Sequence, residues 1–557
     1  MKKIYILCAT LLASVLTTSA QTNPNDTILN RTVVVEKEFN PIIQGASKVN
    51  VLPKVEEPTI TAKNVEYAQE AIPANAVPVA LVKPLLAKEF EANSLPGYLR
   101  LGYGNYGNLD ARAHYTFKLS SKDLLGIDFS ALGMNGKLDN PFSNDKWKSR
   151  YYKAGGALDY KHQFERLDLR LFMGMGVHNF NYIDVNNTKN QGKLGDDDFN
   201  FYRPRQRFTK ANFGLALKST DETARILYDV TAQFMLYNRK DDILDSELKE
   251  YLMNTQAKLW TLLGSNRIGL DLNMHNRILN SELIKNYTTL DINPYYGLEL
   301  DNLKMRLGAN IDLGFGYGES FLVSPDVDIQ YVFSDSYVLY AKAGGGRINT
   351  DFRRFEALSP YTFTGQKNRD TYEQLNASLG FKASPIPGLW FNIYGGFQKL
   401  KDDLYQDIPQ VNSPISYFAN EDTKNVYIAA QASYNYKNIV ELGLSAVNRK
   451  WKTDGYNNNA LLYKPKTELE ANIEVKPIQA LSLAVNYRFV SRQEPKVWIE
   501  KQPVSDISNL SIKASYSVIK NLSVYAMVDN LLNKKYQYYY GYPVQGINFM
   551  AGFSFKF

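Results

Sequence analysis

Residues 547–557 read INFMAGFSFKF, with Ile547, Phe549, Ala551, Phe553, Phe555 and Phe557 on one face and Asn548, Met550, Gly552, Ser554 and Lys556 on the other. Successive side chains of a β-strand point to opposite faces, so this is a strand with one apolar side. The alternation recurs more than twenty times between short turns. Leu167, Leu169, Leu171, Met173, Met175 and Val177 oppose Asp168, Arg170, Phe172, Gly174 and Gly176. Leu481, Leu483, Val485, Tyr487 and Phe489 oppose Ser482, Ala484, Asn486 and Arg488. Most of these runs reach ten residues or more. A soluble sandwich closes with strands of about five or six residues, whereas a tilted strand crossing hydrocarbon needs about nine to eleven. From Gly97 onward the pattern therefore predicts an all-β, antiparallel transmembrane barrel with lipid outside and a wet, polar lumen.

The connections predict which way up the barrel stands. One class is very short: residues 120–123, 264–266, 301–302, 334–335, 437–438, 477–480 and 520–521. The alternate class is longer: 137–150, 179–198, 349–372, 401–423 and 490–506. In such barrels the short turns face the periplasm and the long loops face outside. Counting runs gives 22 strands, with residues 316–325 an ambiguous connection that leaves the count open by two. Both barrel ends then lie on the periplasmic side.

Composition fits this reading. There are 39 tyrosines and 28 phenylalanines, residues that gather where strands cross a membrane interface. The net charge of +7 mixes both signs with no basic tract, which gives a nucleic-acid partner no footing. Residues 1–20 look like a secretory signal: Lys2 and Lys3, an apolar run over 4–16, and Thr18-Ser19-Ala20 before the cleavage point. The only cysteine, Cys8, lies inside it, so the mature chain has no disulfide or thiolate chemistry. No later stretch reaches about 18 uncharged apolar residues, so no helical span is predicted.

Residues 21–96 differ from the rest, with eight prolines against one glycine, Gly45. Proline removes ladder donors, so this segment reads as an extended periplasmic arm with short elements. Within it RTVVVE (31–36) predicts one edge strand, and Val33, Val34 and Val35 are candidates for adding to a partner's sheet.

Candidate sites are few. Asp196, Asp197 and Asp198 in a predicted external loop offer the hard oxygen ligands calcium takes, but without EF-hand spacing, and a solvated acidic loop accounts for them. Asp241, Asp242, Asp245 and Glu247 repeat the theme, as do Asp402 and Asp403. Glu468, Glu470 and Glu474 share one lumen face and are expected to meet cations from neighbouring strands, such as Arg488. The four histidines, His114, His162, His178 and His275, show no metal-ligand spacing. No nucleophile-and-base set, phosphate loop or dinucleotide signature is present, so neither an enzyme nor a cofactor is expected. The run YQYYYGY (536–542) sits at the last external loop. There Tyr538, Tyr539 and Tyr540 either pack a partner or sugar, or belong to the outer aromatic belt. Arg203, Arg205 and Arg207 near an outer strand end either bind acidic head groups or pair with the Asp196 cluster.

Residues 528–536, VDNLLNKKY, followed by Tyr542-Pro543, Gly546 and the terminal aromatic strand, resemble the C-terminal signature of the TonB-dependent receptors, especially their Bacteroidota branch. The resemblance implies the 22-stranded barrel and a Gram-negative outer-membrane location among lipids and lipopolysaccharide. Family members carry a glycine-rich plug domain larger than residues 21–96, and here that segment is proline-rich, with no clear TonB-contacting box. What the resemblance implies is therefore the barrel rather than the transport cycle. The expected function is an accessory or structural subunit of a multiprotein outer-membrane complex containing other outer-membrane proteins or lipoproteins, with barrel assembly the specific case. The alternative is a nutrient importer with a reduced plug.

Overall fold

The computed structural model describes residues 95–142, 146–183, 205–221, 223–240, 247–264, 266–280, 285–334, 336–363, 368–408, 416–437, 439–453, 458–492 and 505–557. Twenty-two strands form one closed antiparallel ring, Gly97–Gly104 first and Asn548–Lys556 last. Consecutive barrel strands pair, and the ring closes where residues 98–104 meet 550–556. Gly97 and Phe557 exchange both backbone hydrogen bonds, at 2.7 and 3.0 Å. Closure leaves no strand edge facing hydrocarbon, where each unpaired backbone group would cost several kcal/mol.

The two faces are inverted relative to a soluble protein. In the strand Leu167–Asn181, Met173 and Met175 are 47% and 73% exposed, while Arg170 turns inward and pairs with Asp159 at 2.6 Å. Lumen-facing charges are matched across strands in this way. Arg306 reaches Asp326 at 2.7 Å and Asp271 at 3.2 Å. Glu470 stands 3.6 Å from Arg488, Glu468 pairs with Arg449, and Glu474 lies 3.4 Å from Lys476. Glu468 and Glu470 thus meet cations of neighbouring strands as expected, whereas the partner of Glu474 comes from its own strand. The outward face tolerates no such charge. Leu379, 60% exposed between Ala341 and Gly395 on the neighbouring strands, lies near mid-strand. Leu379→Arg is expected to destabilise the barrel by about 2–4 kcal/mol, read from the shift of its urea unfolding midpoint in lipid vesicles. An unchanged midpoint would mean this face does not meet lipid.

Connections on the side of Gly97 and Phe557 run from two to seven residues, whereas those opposite reach 23 (182–204) and 22 (349–370). Residues 316–320 make a short outer connection, with Gly316 and Gly318 at φ +100° and +86°, and Pro325 lies inside the strand Phe321–Ser334. The count is therefore 22 with no remainder. The long loop expected over 401–423 is mostly strand: Leu389–Asp407 and Tyr417–Tyr436 continue well past the expected ends. A bulge explains the difference. Register slips between Leu400 and Asp403, with Asp402 at φ +50°, and the extra residue breaks the two-residue alternation.

Candidate functional site at the outer mouth

Within the 349–370 connection, residues 349–363 fold inward and place a short helix, α1 (Phe352–Leu358), in the mouth of the barrel. The local sequence dictates the helix. Asp351 caps it by accepting from the Arg354 N–H at 3.1 Å, and Pro360, which cannot continue a helix, follows the terminal Ser359. Phe352, Phe355 and Glu356 fall three and four apart, on one side of the helix.

Those side chains reach opposite walls. Phe352 packs edge-on to Tyr237 at 5.4 Å, and Phe355 stacks on Phe418 at 4.7 Å. Tyr361, just beyond α1, meets Phe180 at 5.2 Å and stacks on Tyr542 at 3.6 Å. Phe180 belongs to the fifth strand and Phe418 to the sixteenth, half the ring apart. The connection therefore bridges the mouth. Trp147, Tyr182, Phe208, Leu248 and Leu404 complete an apolar cluster around it. The cap is a small hydrophobic core built inside a polar lumen.

Charged groups fasten the cap to the wall. Glu356 lies 2.9 Å from His178 Nδ1 and accepts from the Tyr237 hydroxyl at 2.6 Å, with Lys153 at 3.5 Å and Lys210 at 3.7 Å. Burial pushes the Glu356 carboxyl up, but His178 and the two lysines outweigh it and hold the group well below the usual carboxylate range. Glu250, fully buried, accepts from the Phe352 N–H at 2.8 Å and from Arg277 at 2.5 Å. Arg354 donates to Ile348 O at 3.1 Å and to Thr371 Oγ1 at 2.7 Å. On the far side Asp403 pairs with the buried Lys464 and accepts from Thr423 Oγ1 at 2.6 Å. The Thr362 and Ser416 hydroxyls lie 3.0 Å apart, and Gln406 donates to both.

The structure sorts the sequence candidates as follows. Val33–Val35, Asp196–Asp198, Asp241, Asp242, Asp245 and Arg203 lie outside the described residues. Glu247 accepts from Asn238 and pairs with Lys249 at 3.1 Å. Arg205 is exposed, and Arg207 donates to Asn179 at 2.9 Å. Tyr538, Tyr539 and Tyr540 belong to a hairpin, Gln537–Tyr539 with Tyr542–Pro543, turned by Gly541 at φ +81°. Tyr539 and Tyr540 are buried, Tyr539 against Tyr361 at 5.5 Å and Tyr540 against Phe142 at 5.8 Å. His178, which looks isolated in sequence, is tied to Glu356, and His114 and His162 pair with Asp128 and Asp123. Among the described residues no group of three His, Cys, Asp or Glu could hold a metal ion. Sequence reasoning missed α1 and Glu356. The DFRRFEALSP segment, with its cap residue and closing proline, carried the available signal.

No protein-family model matches the chain, and no curated protein matches it. Solved structures do. The FrpB iron transporter from Neisseria meningitidis matches with a TM-score of 0.65 at 12% identity, over 84% of this chain and 82% of that one. The copper transporter OprC matches with a TM-score of 0.62 at 14% identity, over 83% and 80%. The ferric-catecholate import receptor Fiu from E. coli, in its closed form, matches with a TM-score of 0.61 at 9% identity, over 84% and 82%. At such identities the likeness is one of fold. The chain is an all-β, 22-stranded antiparallel closed barrel whose fold matches that of these transporters and receptors.

Proposed function

We propose that this chain is an importer-type barrel that admits a small solute through a gated outer mouth, with α1 and Tyr361 as the gate. One observation carries the reading: α1 and Tyr361 bridge opposite walls at the loop end of the barrel. The fold likeness to iron and copper transporters supports it. In this reading residues 1–20 are the export signal, and residues 21–96 are a reduced plug facing the periplasm of a Gram-negative cell of Bacteroidota type.

A second reading is an accessory subunit of a larger outer-membrane complex, barrel assembly included. It is favoured by the proline-rich composition of residues 21–96, with eight prolines against one glycine. There Val33–Val35 and Tyr538–Tyr540 are contact residues, and movement of Tyr539 and Tyr540 out of the cap accompanies partner binding.

Growth separates the two. A deletion strain is grown with iron, copper, a vitamin or an oligosaccharide limiting in turn. Import predicts a defect confined to one nutrient. Bridging Tyr361→Cys to Tyr542→Cys with a short bismaleimide is expected to reproduce that defect, because it staples the gate to the last loop. Equal growth loss on every nutrient, with several outer-membrane proteins falling in abundance together, would remove the importer reading in favour of the accessory one.

A further inference from the structure

Beneath the terminal hairpin lies a cavity of about 160 Å³ on the lumen side of the first four and last three barrel strands. A dry cavity of about 150 Å³ is known to hold one benzene, so this space suits a single-ring molecule. Its walls are apolar and aromatic, with Met134, Met527, Met550, Trp147, Tyr539 and Tyr542 among them. Into this lining projects Arg100, a residue 2% exposed. Its Nη2 stands 2.5 Å from Asp110 Oδ2, but among the described residues its Nε has no hydrogen-bond partner. A buried guanidinium N–H left unbonded is costly, and it is the group a carboxylate satisfies best. The described lining carries three cations, Arg100, Arg112 and Lys513, against two carboxylates, Asp110 and Asp529. The local charge therefore favours a monoanion.

We infer that this cavity is a binding site for a small ring-bearing carboxylate, with the ring against Met527, Met550 and Tyr539 and the acid group on Arg100. The site goes beyond the import reading and stands on binding alone. Pockets that orient a ligand pair an apolar body with a few convergent polar groups, and this one has both.

The test uses the full chain in detergent micelles, with saturation-transfer NMR and titration of benzoate, benzylamine and acetate. Benzoate is expected to saturate the site, while benzylamine, which has the wrong charge, and acetate, which lacks a ring, bind about tenfold or more weakly. Arg100→Gln should weaken benzoate about tenfold or more, and Met527→Trp, which fills the space, should block it. Heat-modifiable gel mobility shows that each variant is folded. Equal binding of benzylamine and benzoate, absent benzoate binding, or benzoate binding unchanged in both folded variants would each overturn the assignment. The ligand series on the unsubstituted protein keeps the test decisive if a variant does not fold. Growth phenotypes play no part in it, so its failure would leave the gate untouched.

Discussion

Replacing Glu356 with leucine is expected to release the cap while leaving the barrel standing. The substitution deletes the anion shared by His178, Tyr237, Lys153 and Lys210 and leaves His178 and the stems of both lysines facing an apolar side chain. Removing one partner of a buried, hydrogen-bonded charge set costs about 3–5 kcal/mol. The loss falls on the cap, because the wall residues keep their strand pairing. Trypsin reads the outcome. Arg354 is 4% exposed within α1 and resists cleavage while the cap is closed. If the cap opens and recloses faster than it is cut, cleavage after Arg353 or Arg354 should rise by about two orders of magnitude or more, since about 1.4 kcal/mol is tenfold. An unchanged cleavage rate in the folded variant would remove Glu356 from the latch. The pH dependence follows from the same group. Its carboxyl is depressed in the folded protein, so its stabilisation is fully present above the unfolded value of about 4.3. It is lost only as pH falls through the lower folded value. The cap should be as resistant to proteolysis at about pH 5 as at neutrality and should loosen only in stronger acid.

The second large effect is expected on the other wall. Lys464→Met strands Asp403, which is 1% exposed and keeps the Thr423 hydroxyl as its donor once the ammonium is lost. The cost should again be about 3–5 kcal/mol. It falls on the rim where Leu404 N–H donates to Thr371 Oγ1 at 3.1 Å, directly below the cap. Amide hydrogen exchange over 400–408 and 416–423 should quicken, while the periplasmic ends of the same strands stay protected. Adding Asp403→Asn to Lys464→Met should recover part of the loss, because neither charge is then buried alone. Strictly additive losses in the double variant would show that the pair is not coupled.

Much of this architecture is legible in sequence because a barrel strand repeats every two residues, and nothing else in a chain holds that period over a dozen positions. The INFMAGFSFKF strand shows this, and so does Glu470, where cross-strand register puts Arg488 directly opposite the acid. Legibility ends where the period breaks or where contacts span long separations. The bulge at Asp402 inserts one residue and hides the strand beyond it. The latch joins positions 178 residues apart, His178 and Glu356, and local sequence carries no trace of that pairing. Tyr539 and Tyr540 read equally well as interface, belt or core residues, because a tyrosine has an apolar body and a polar tip whichever it faces.

The closing contact between 98–104 and 550–556 carries a consequence for biogenesis. The two partners are the first and last barrel strands, so no intermediate on the ribosome or in the periplasm holds a finished wall. Every earlier stage presents two raw borders, and both must be shielded from lipid and from other chains until the final nine-residue strand arrives. Seven residue pairs make this seam, against seventeen between Leu389–Asp407 and Tyr417–Tyr436. Pulled mechanically from either terminus, the wall should therefore part first at the suture made last, unzip hairpin by hairpin, and close there last on release.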